Sequence, residues 1–323
     1  MREIIVDKNQ AGQRLDKLLQ KYLNAAPKSF LYKMLRKKNI TLNGKKAEGS
    51  EKLVQNDSIK FFMAEETIEK FRQASCERNI ISCSSDFEIL YEDEHVLFIN
   101  KMAGVLSQKA QVDDISLTEQ VIAYLLGTGQ LTQKDLELFH PGLCNRLDRN
   151  TSGIIIAGKS LAGLQEMGAM LKKRDMDKYY LCIVKGKVTE STSIEGYLVK
   201  NHSHNKVTVS VTPADGADYI KTQYTPVKCS ESFTLLKVKL ITGRSHQIRA
   251  HLKSIGHPII GDGKYGDVPT NNILRKQFKL KHQLLHSYEV HFPEIQGTLE
   301  GLSNQTITAE VPDYFQELIE QLL

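Results

Sequence analysis

Residues 146–160, RLDRNTSGIIIAGKS, join a polar turn to a short apolar strand. The last part of this stretch, residues 153–160, matches the letters of the phosphate-binding loop G-x-x-x-x-G-K-[ST]. In a working loop the residues between the glycines form an open turn, and an apolar strand precedes the first glycine. Here three β-branched isoleucines stand between the glycines, so we expect their N–H groups to bond within a sheet. We therefore interpret the match as a strand that shares only the letters of a nucleotide site.

Asp148 lies between Arg146 and Arg149 in the polar half of the same stretch, directly before the apolar strand. Taken alone, these residues favour a turn aspartate that pairs with its arginine neighbours. A catalytic carboxylate is the alternative interpretation.

A second glycine pattern, GDGKYG at residues 261–266, matches the dinucleotide fingerprint G-x-G-x-x-G. That fingerprint must open a helix in order to bind a pyrophosphate. Val268, Pro269 and Thr270 follow the pattern, and from them we predict a turn. The sequence therefore gives no support for a nucleotide cofactor.

The remainder of the chain predicts an α+β fold with a mainly antiparallel sheet, because its strand candidates follow one another through short turns. Helical spacing is less frequent in this region. The strand candidates are FEILYEDEHVLFINK (two strands), IIIAG, KYYLCIVKG, IEGYLVK, KVTVSV, YIKTQYTPV, FTLLKVKLI, LLHSYEVHF and QTITAEV. The helix candidates are SLTEQVIAYLL, SLAGLQEMGAMLKKR, HQIRAHLKSI and DYFQELIEQLL.

The positive charge is concentrated near the start of the chain. The net charge is +5 at pH 7, yet residues 28–46 contain seven Lys or Arg and no acid, which leaves −2 for the rest. Such a cluster favours a polyanionic partner, although a solvated surface is the ordinary alternative. The candidate phosphate contacts are Lys33, Arg36, Lys37, Lys38, Lys45 and Lys46.

Composition and breaks in patterning predict a basic module at residues 1–64, a linker at 65–85 and a large domain at 86–323. The start of the chain is charged and no apolar run is long enough for a membrane span, so we expect a cytoplasmic protein. The five cysteines form no C-x-x-C pair, and the histidines form no H-E-x-x-H motif. We expect reduced thiols and no metal site.

Within the basic module, APKSFLYKMLRKKNITLNGKK resembles the alpha-L RNA-binding motif, and the resemblance covers roughly residues 12–64. A generic helical hairpin is the alternative. The opening stretch, residues 146–160, resembles the signature of the RluA family of RNA pseudouridine synthases. Residues 89–104, 178–186 and 240–266 agree with further motifs of that family in order and kind. The basic module in front of them points to the C-type branch of the family, which acts on the large ribosomal subunit.

The resemblance implies that the large domain has the pseudouridine synthase fold and isomerises uridines in RNA without a cofactor or metal. It implies that Asp148 is the catalytic carboxylate, that Arg249 pairs with it and that Tyr180 stacks on the uracil. Arg146 would insert where the flipped base had been. The implied partner is 23S ribosomal RNA, free or in a pre-ribosomal particle. We expect no membrane partner and, by default, a monomer.

The chain departs from the family pattern at three places. Asn145 stands where His is usual, Met102 where Pro is usual, and Ser107–Gln108 where a His often occurs. None of them replaces the aspartate. Two competing functions remain at this point: an RNA-binding protein that has lost catalysis, and a nucleotide-dependent phosphotransferase that uses residues 153–160.

Overall fold

The computed structural model describes residues 1–72, 86–111, 113–201 and 206–323. Within them, two sheets organise the chain. The N-terminal sheet has four strands in the order β1-β4-β2-β3, and Asn43 and Gly44 form the turn between β2 and β3 with positive φ angles of 51° and 72°. The elements of this module are β1 Arg2–Ile5, α1 Leu15–Tyr22, α2 Lys28–Arg36, β2 Ile40–Leu42, β3 Lys45–Lys46, β4 Ser58–Phe61 and α3 Glu65–Phe71.

Helix α3 lies where the sequence was interpreted as the start of a linker. Ile68 is fully buried, and the ring of Phe71 lies 4.5 Å from that of Phe30. Ile68 and Phe71 are three positions apart and therefore share one helix face, a short pattern that is obscured by the charged residues around it. Residues 65–71 thus form a helix that packs against the basic module, and residues 73–85 of the predicted linker lie outside the described part of the chain.

The large sheet has eleven strands within the described residues, with the main order β11-β10-β12-β13-β9-β14-β8-β6-β5. Its strands are β5 Glu88–Glu92, β6 Val96–Lys101, β7 Gly142–Leu143, β8 Ser152–Gly158, β9 Asp177–Lys185, β10 Thr192–Asn201, β11 Lys206–Ser210, β12 Asp218–Cys229, β13 Phe233–Leu240, β14 Leu285–His291 and β15 Thr306–Thr308. The helices are α4 Leu117–Gly127, α5 Gln133–Leu136, α6 Leu161–Lys173, α7 Gln247–Ser254, α8 Val268–Phe278 and α9 Asp313–Leu322, and Glu300–Leu302 form a 3-10 turn.

This architecture confirms the predicted α+β class, and every strand candidate from the sequence contains a strand. The described strand pairs are antiparallel except β8 with β14, where Ser152 lies opposite His286. Alternation along β9 places Cys182 in the core beside α4 and α7, while Ile183 joins the cluster beside α8 and α9. Tyr180 shares the face of Cys182, which directs it toward the side of the sheet that carries α7.

The match of residues 153–160 to the phosphate-loop pattern arises from strand β8. All seven residues of Ser152–Gly158 are buried, and a Cβ at Gly153 would lie 2.2 Å from the carbonyl oxygen of Ser287 on β14. Glycine is therefore required here by the close approach of two strands. Lys159 Nζ donates to Glu92 Oε1 at 2.6 Å, and the Ser160 side chain accepts from the N–H of Gly163 as the cap of α6. Both side chains are thus engaged within the protein.

The prediction of a turn after GDGKYG was wrong, because α8 begins at Val268. The Asp267 side chain accepts a hydrogen bond from the N–H of Thr270 at 3.0 Å, and proline lies in the first turn. An aspartate cap followed by a proline is a helix-start signal that the sequence interpretation overlooked. The segment before the pattern makes only an antiparallel bridge, Ile259 to Val184, so the parallel βαβ unit of a dinucleotide site does not form there.

Among the described residues, no helix has the length and apolar character needed to cross a bilayer, and no cluster of His, Cys, Asp or Glu could hold a metal. Cys144, Cys182 and Cys229 are free thiols. Cys76 and Cys83 lie outside the described residues.

Candidate active site

A cleft with a volume of about 970 Å³ opens where the loop before β8 meets the start of α7. Four segments supply most of its walls, residues 106–110, 144–151, 171–180 and 240–249, and Leu285 of β14 adds to them. Three of them correspond to separate sequence motifs. The fold therefore brings distant stretches of the chain to one place.

Asp148 lies in the loop between β7 and β8, and its neighbours hold that loop from both sides. Ser107 Oγ donates to the carbonyl of Leu147 at 2.8 Å. The buried ammonium of Lys101 donates to the carbonyl of Arg149 at 3.1 Å, and it also binds the carbonyls of Met102 and Val105. The backbone on each side of Asp148 is thus fixed, while its carboxylate stays 28% exposed in the cleft.

Arg249 contacts two carboxylates from its position on α7. Its Nη1 donates to Asp148 Oδ2 at 2.6 Å, while Nε and Nη2 donate to Asp262 Oδ2 and Oδ1 at 2.7 and 2.8 Å. The side chain of Arg249 is 7% exposed and that of Asp262 is fully buried. A planar guanidinium can make this two-sided contact, because its donors point in fixed directions.

Asp148, Arg249 and Asp262 form a row of charged groups, and the opposite charges of Arg249 and Asp262 stabilise each other's ionised forms. Burial opposes the charged form of Arg249, but Asp262 and then Asp148 outweigh it and raise the pKa of the guanidinium. Burial likewise opposes the charge of Asp262, and Arg249 outweighs it, so the pKa of Asp262 falls below its usual range. Both groups of the buried pair are therefore ionised at neutral pH.

Sequence reasoning did not identify Asp262. The residue lies inside GDGKYG, and its Oδ1 accepts from the N–H groups of Lys264 and Tyr265 at 2.8 and 3.0 Å. The glycine pattern thus forms a turn that holds a carboxylate. A buried arginine requires partner charges, but nothing in the local sequence indicates that Arg249 is buried beside a second acid.

Tyr180 borders the cleft from β9 and is 7% exposed. Burial raises the pKa of its phenol to about 12; a hydrogen bond with Ser287 opposes the shift, and Asp148 adds to it. The phenol is therefore neutral, and its ring is available on the wall of the cleft. Arg146 is exposed at the cleft, where Nη1 donates to Gln108 Oε1 at 3.3 Å.

Two departures from the family pattern have structural contacts. The Asn145 side chain accepts from the N–H of Ile156 at 2.8 Å and donates to the carbonyl of Ile154 at 3.3 Å, which ties the loop to β8. Ser107 holds Leu147, as described above. Met102 is 51% exposed, and nothing in the structure explains the absence of proline there.

The six basic candidates lie away from the cleft, on the N-terminal module. All are exposed, and within the described residues none forms an ion pair with an acidic side chain. The set comprises Lys33, Arg36, Lys37, Lys38, Lys45 and Lys46, on α2, directly after it and on β3. The structure thus places Asp148, Tyr180, Arg249 and Arg146 at one cleft and the basic candidates on another surface.

Comparison with known proteins shows the family to which the chain belongs. Residues 95–254 match the family model described as RNA pseudouridylate synthase. The chain is 30% identical to ribosomal large subunit pseudouridine synthase C of Escherichia coli over 82% of this chain and 79% of that protein. It is 28% identical to an uncharacterised RNA pseudouridine synthase of Mycoplasma genitalium over 98% of both chains. The solved structure of human RNA pseudouridylate synthase domain containing 4 aligns with a TM-score of 0.57 and 23% identity, covering 72% of this chain and 92% of that one.

The fold and the similarities together define an enzyme of the RNA pseudouridine synthase class, an isomerase. Within that class the chain belongs to the RluA family and is similar to its C-type branch, as the sequence resemblance implied.

Proposed function

We propose that this enzyme converts specific uridines of 23S ribosomal RNA, in the large subunit, to pseudouridine, with Asp148 as its catalytic carboxylate. The observation that carries the proposal is the row formed by Asp148, Arg249 and Asp262 in the cleft. The substrate class rests on relatives that are named as synthases of the large subunit. The substrate is either free RNA or an assembling particle in the cytoplasm.

In the reaction, the N1–C1′ bond of uridine breaks, the uracil turns, and C5 forms a bond to C1′. The hydrogen on C5 is lost and N1 gains one, so the product is an isomer of the substrate. Asp148 either adds to C1′ or removes the C2′ proton to give a glycal. Both routes use Asp148 as a carboxylate, and Arg249 Nη1 holds its Oδ2 at 2.6 Å.

Asp262 shares the positive charge of Arg249 with Asp148 and so weakens the attraction between Arg249 and Asp148. Arg249 carries one positive charge and contacts two carboxylates, so the row as a whole is negative by one charge. Because Asp262 makes two of the three hydrogen bonds, it balances most of the cation. Asp148 is held in place by Arg249 through Oδ2, which leaves Oδ1 for chemistry at the ribose.

The remaining cleft residues act on the base. A neutral Tyr180 offers its ring to the uracil without placing a second anion beside Asp148. A stacked uridine cannot reach Asp148, so it must be flipped out, which costs a few kcal/mol. Exposed at the cleft, Arg146 is suited to replace it, because a guanidinium can stack on bases and bind phosphate at once.

The basic module supplies affinity for the RNA backbone. Its six exposed cations have no acidic partner within the described residues, so they are available to phosphates. Phosphate contacts of this type position an RNA without selecting a sequence. We assign selection of the uridine to the cleft and general affinity to the module.

Two other functions are less well supported. An RNA-binding protein without catalysis would have no need for the buried Arg249–Asp262 pair beside Asp148. A phosphotransferase would need Lys159 and Ser160 free, but both are bound within the protein, and the isoleucines between the glycines belong to a buried strand.

The test is to incubate the protein with ribosomal RNA in the absence of ATP and added metal. Carbodiimide treatment and primer extension then reveal pseudouridine as stops. We expect stops at a few uridines of 23S RNA and none with Asp148→Asn. A requirement for ATP, or absence of stops on both free RNA and assembly intermediates, would contradict the proposal. Pseudouridine maps from cells with and without the gene identify the target uridines.

A further inference from the structure

His246 occupies a strained position at the edge of the cleft. It precedes α7 with φ 58° and ψ 14°, in the left-handed region, and its side chain is 13% exposed. A residue other than glycine is unfavourable in this conformation, and such residues persist where their surroundings hold them, often at active sites. No role for His246 was inferred from the sequence.

The contacts of Tyr265 are the basis for assigning the hydrogen of the His246 ring to one of its nitrogens. The backbone N–H of Val207 donates to the hydroxyl oxygen of Tyr265 at 2.9 Å, and that hydroxyl lies 2.9 Å from Nδ1 of His246. Since the oxygen accepts from Val207, we assign the phenol hydrogen to the contact with Nδ1. A neutral imidazole has one N–H, so the hydrogen of His246 is on Nε2.

The neutral form of His246 is the one favoured at pH 7. Burial lowers its pKa, and Arg249 and Lys264 act in the same direction. Asp148 and Asp262 oppose the shift without reversing it. The Nε2–H group is therefore present under ordinary assay conditions.

This N–H faces the part of Asp148 that Arg249 does not hold. His246 Nε2 lies 3.8 Å from Asp148 Oδ1, whereas Arg249 binds Oδ2. The distance is slightly too long for a hydrogen bond, and catalytic contacts often tighten only when the substrate enters.

Tyr265 is itself held by the groups that fix Arg249. It is 4% exposed, its ring lies 5.1 Å from the guanidinium of Arg249, and its N–H donates to Asp262 Oδ1. The turn that anchors Arg249 thus also anchors the residue that orients His246.

We propose that His246, oriented by the Tyr265 hydroxyl, is a positioning residue that donates from Nε2 to Oδ1 of Asp148 and directs this carboxylate toward the ribose. The inference rests on the proposed role of Asp148. It assigns a function to His246 and Tyr265, in addition to the functions proposed for Asp148, Tyr180 and Arg249.

Two substitutions at position 246 separate the donor from the shape of the side chain. His246→Leu removes the N–H, whereas the amide of His246→Gln can present an N–H near the position of Nε2. We expect the leucine variant to lose roughly 10- to 100-fold in single-turnover rate at saturating RNA, the effect of a misplaced reactive group. The glutamine variant should recover most of that rate, and RNA affinity should be unchanged in both.

A third variant, Tyr265→Phe, removes one oxygen and leaves the ring against Arg249. We expect a loss of rate in the same direction as for His246→Leu, with little further loss when the two changes are combined. Two controls lie outside the cleft: His257→Gln, which loses a bond to the carbonyl of Lys185, and Tyr91→Phe, which loses a bond to Asp93. Both should keep the wild-type rate, and thermal unfolding checks that all variants are folded.

The inference is overturned if folded His246→Leu reacts within about twofold of wild type. Equal loss in the leucine and glutamine variants would also overturn it, because shape would then matter and the donor would not. Failure of the underlying function is a distinct outcome, since it would appear as activity in Asp148→Asn or as an inactive wild type.

Discussion

Arg249 Nη1 lies 2.6 Å from Asp148 Oδ2 although the two residues are 101 positions apart in the chain. The contact joins a loop before a central strand to a helix on the face of the same sheet. Because Asp262 binds the other edge of the guanidinium, the arginine cannot turn away from Asp148 without breaking a buried ion pair. Catalysis by Asp148 is therefore expected to depend on both partners.

The first prediction concerns Asp148→Asn, which removes a charge with almost no change in volume. We expect the fold and RNA affinity to be retained while pseudouridine formation falls below detection. Single-turnover assays and RNA binding measure the two effects separately. As a control, Asp313→Asn at the exposed start of α9 should behave as wild type. Turnover of Asp148→Asn within tenfold of wild type would exclude the catalytic assignment.

The second prediction concerns the partners of Asp148. Arg249→Met should abolish most activity, since it removes the charge beside Asp148 and leaves Asp262 buried without a partner. Removing one member of a buried pair costs about 3 to 5 kcal/mol of stability, so denaturant unfolding must accompany the rate measurement. Arg249→Lys keeps the charge but cannot contact two carboxylates in the same way, and we expect intermediate activity. A folded Arg249→Met with normal activity at neutral pH would show that the pairing is not needed.

A third prediction addresses Arg146 and the flipped base. Arg146→Ala should slow the reaction on a structured RNA, because nothing replaces the uridine in its stack. The defect should shrink when the target uridine lies in a single strand, where flipping costs less. The exposed Arg275→Ala on α8 is the matched control. An equal defect on structured and single-stranded RNA would instead point to a simple phosphate contact.

The fourth prediction tests the basic module by its charge. Replacing Lys33, Arg36, Lys37 and Lys38 with Gln should flatten the slope of log K against log salt by up to roughly 3 units, because each phosphate contact contributes about 0.7 to 0.9. The apparent KM should rise while the saturating single-turnover rate stays nearly constant, as expected for lost uniform binding.

The control for this series replaces four exposed lysines of the large domain with Gln: Lys228, Lys253, Lys276 and Lys279. This control variant should change the slope of log K against log salt less than the module variant does. An unchanged slope and KM in the module variant would mean that these cations only solvate a surface. A collapsed saturating rate would mean that the module also positions the uridine.

The fifth prediction is a loss of stability in mild acid. Burial lowers the pKa of His251 and of His286 to about 4, whereas an unfolded histidine titrates near 6.5. Below that value the unfolded state binds more protons, so stability should fall from about pH 6.5 toward pH 4 and then level off. Each histidine can contribute roughly 3 kcal/mol over that range.

Denaturant unfolding at pH 7 and pH 5 measures the loss directly. His286→Gln should unfold more easily at pH 7, since it disturbs the bonds to Ser152 and Ala309, but its stability should depend less on pH. Equal pH dependence in the variant and wild type would assign the effect to other groups.

The strands and most of the candidate site residues were predicted from the local sequence. Alternating apolar residues predicted the strands, since each strand buries one or both faces whatever its neighbours are. The isoleucines of residues 153–160 identified a strand under nucleotide-loop letters for the same reason. Motif resemblance then named Asp148, Tyr180, Arg249 and Arg146, which the fold brings to one cleft.

What the sequence did not reveal depends on contacts between distant segments. In the sequence, Asp262 is only a residue of a glycine-rich turn, and its role follows from the buried Arg249 beside it. The role of His246 likewise follows from its contacts with Tyr265 and Asp148. Helix α3 was not predicted because two apolar residues, Ile68 and Phe71, give too short a pattern, and their burial depends on packing against the module. Local periodicity is set by the chain itself, whereas the partner of a buried charge and the tautomer of a histidine are set by whichever residues the tertiary fold places within a few ångströms.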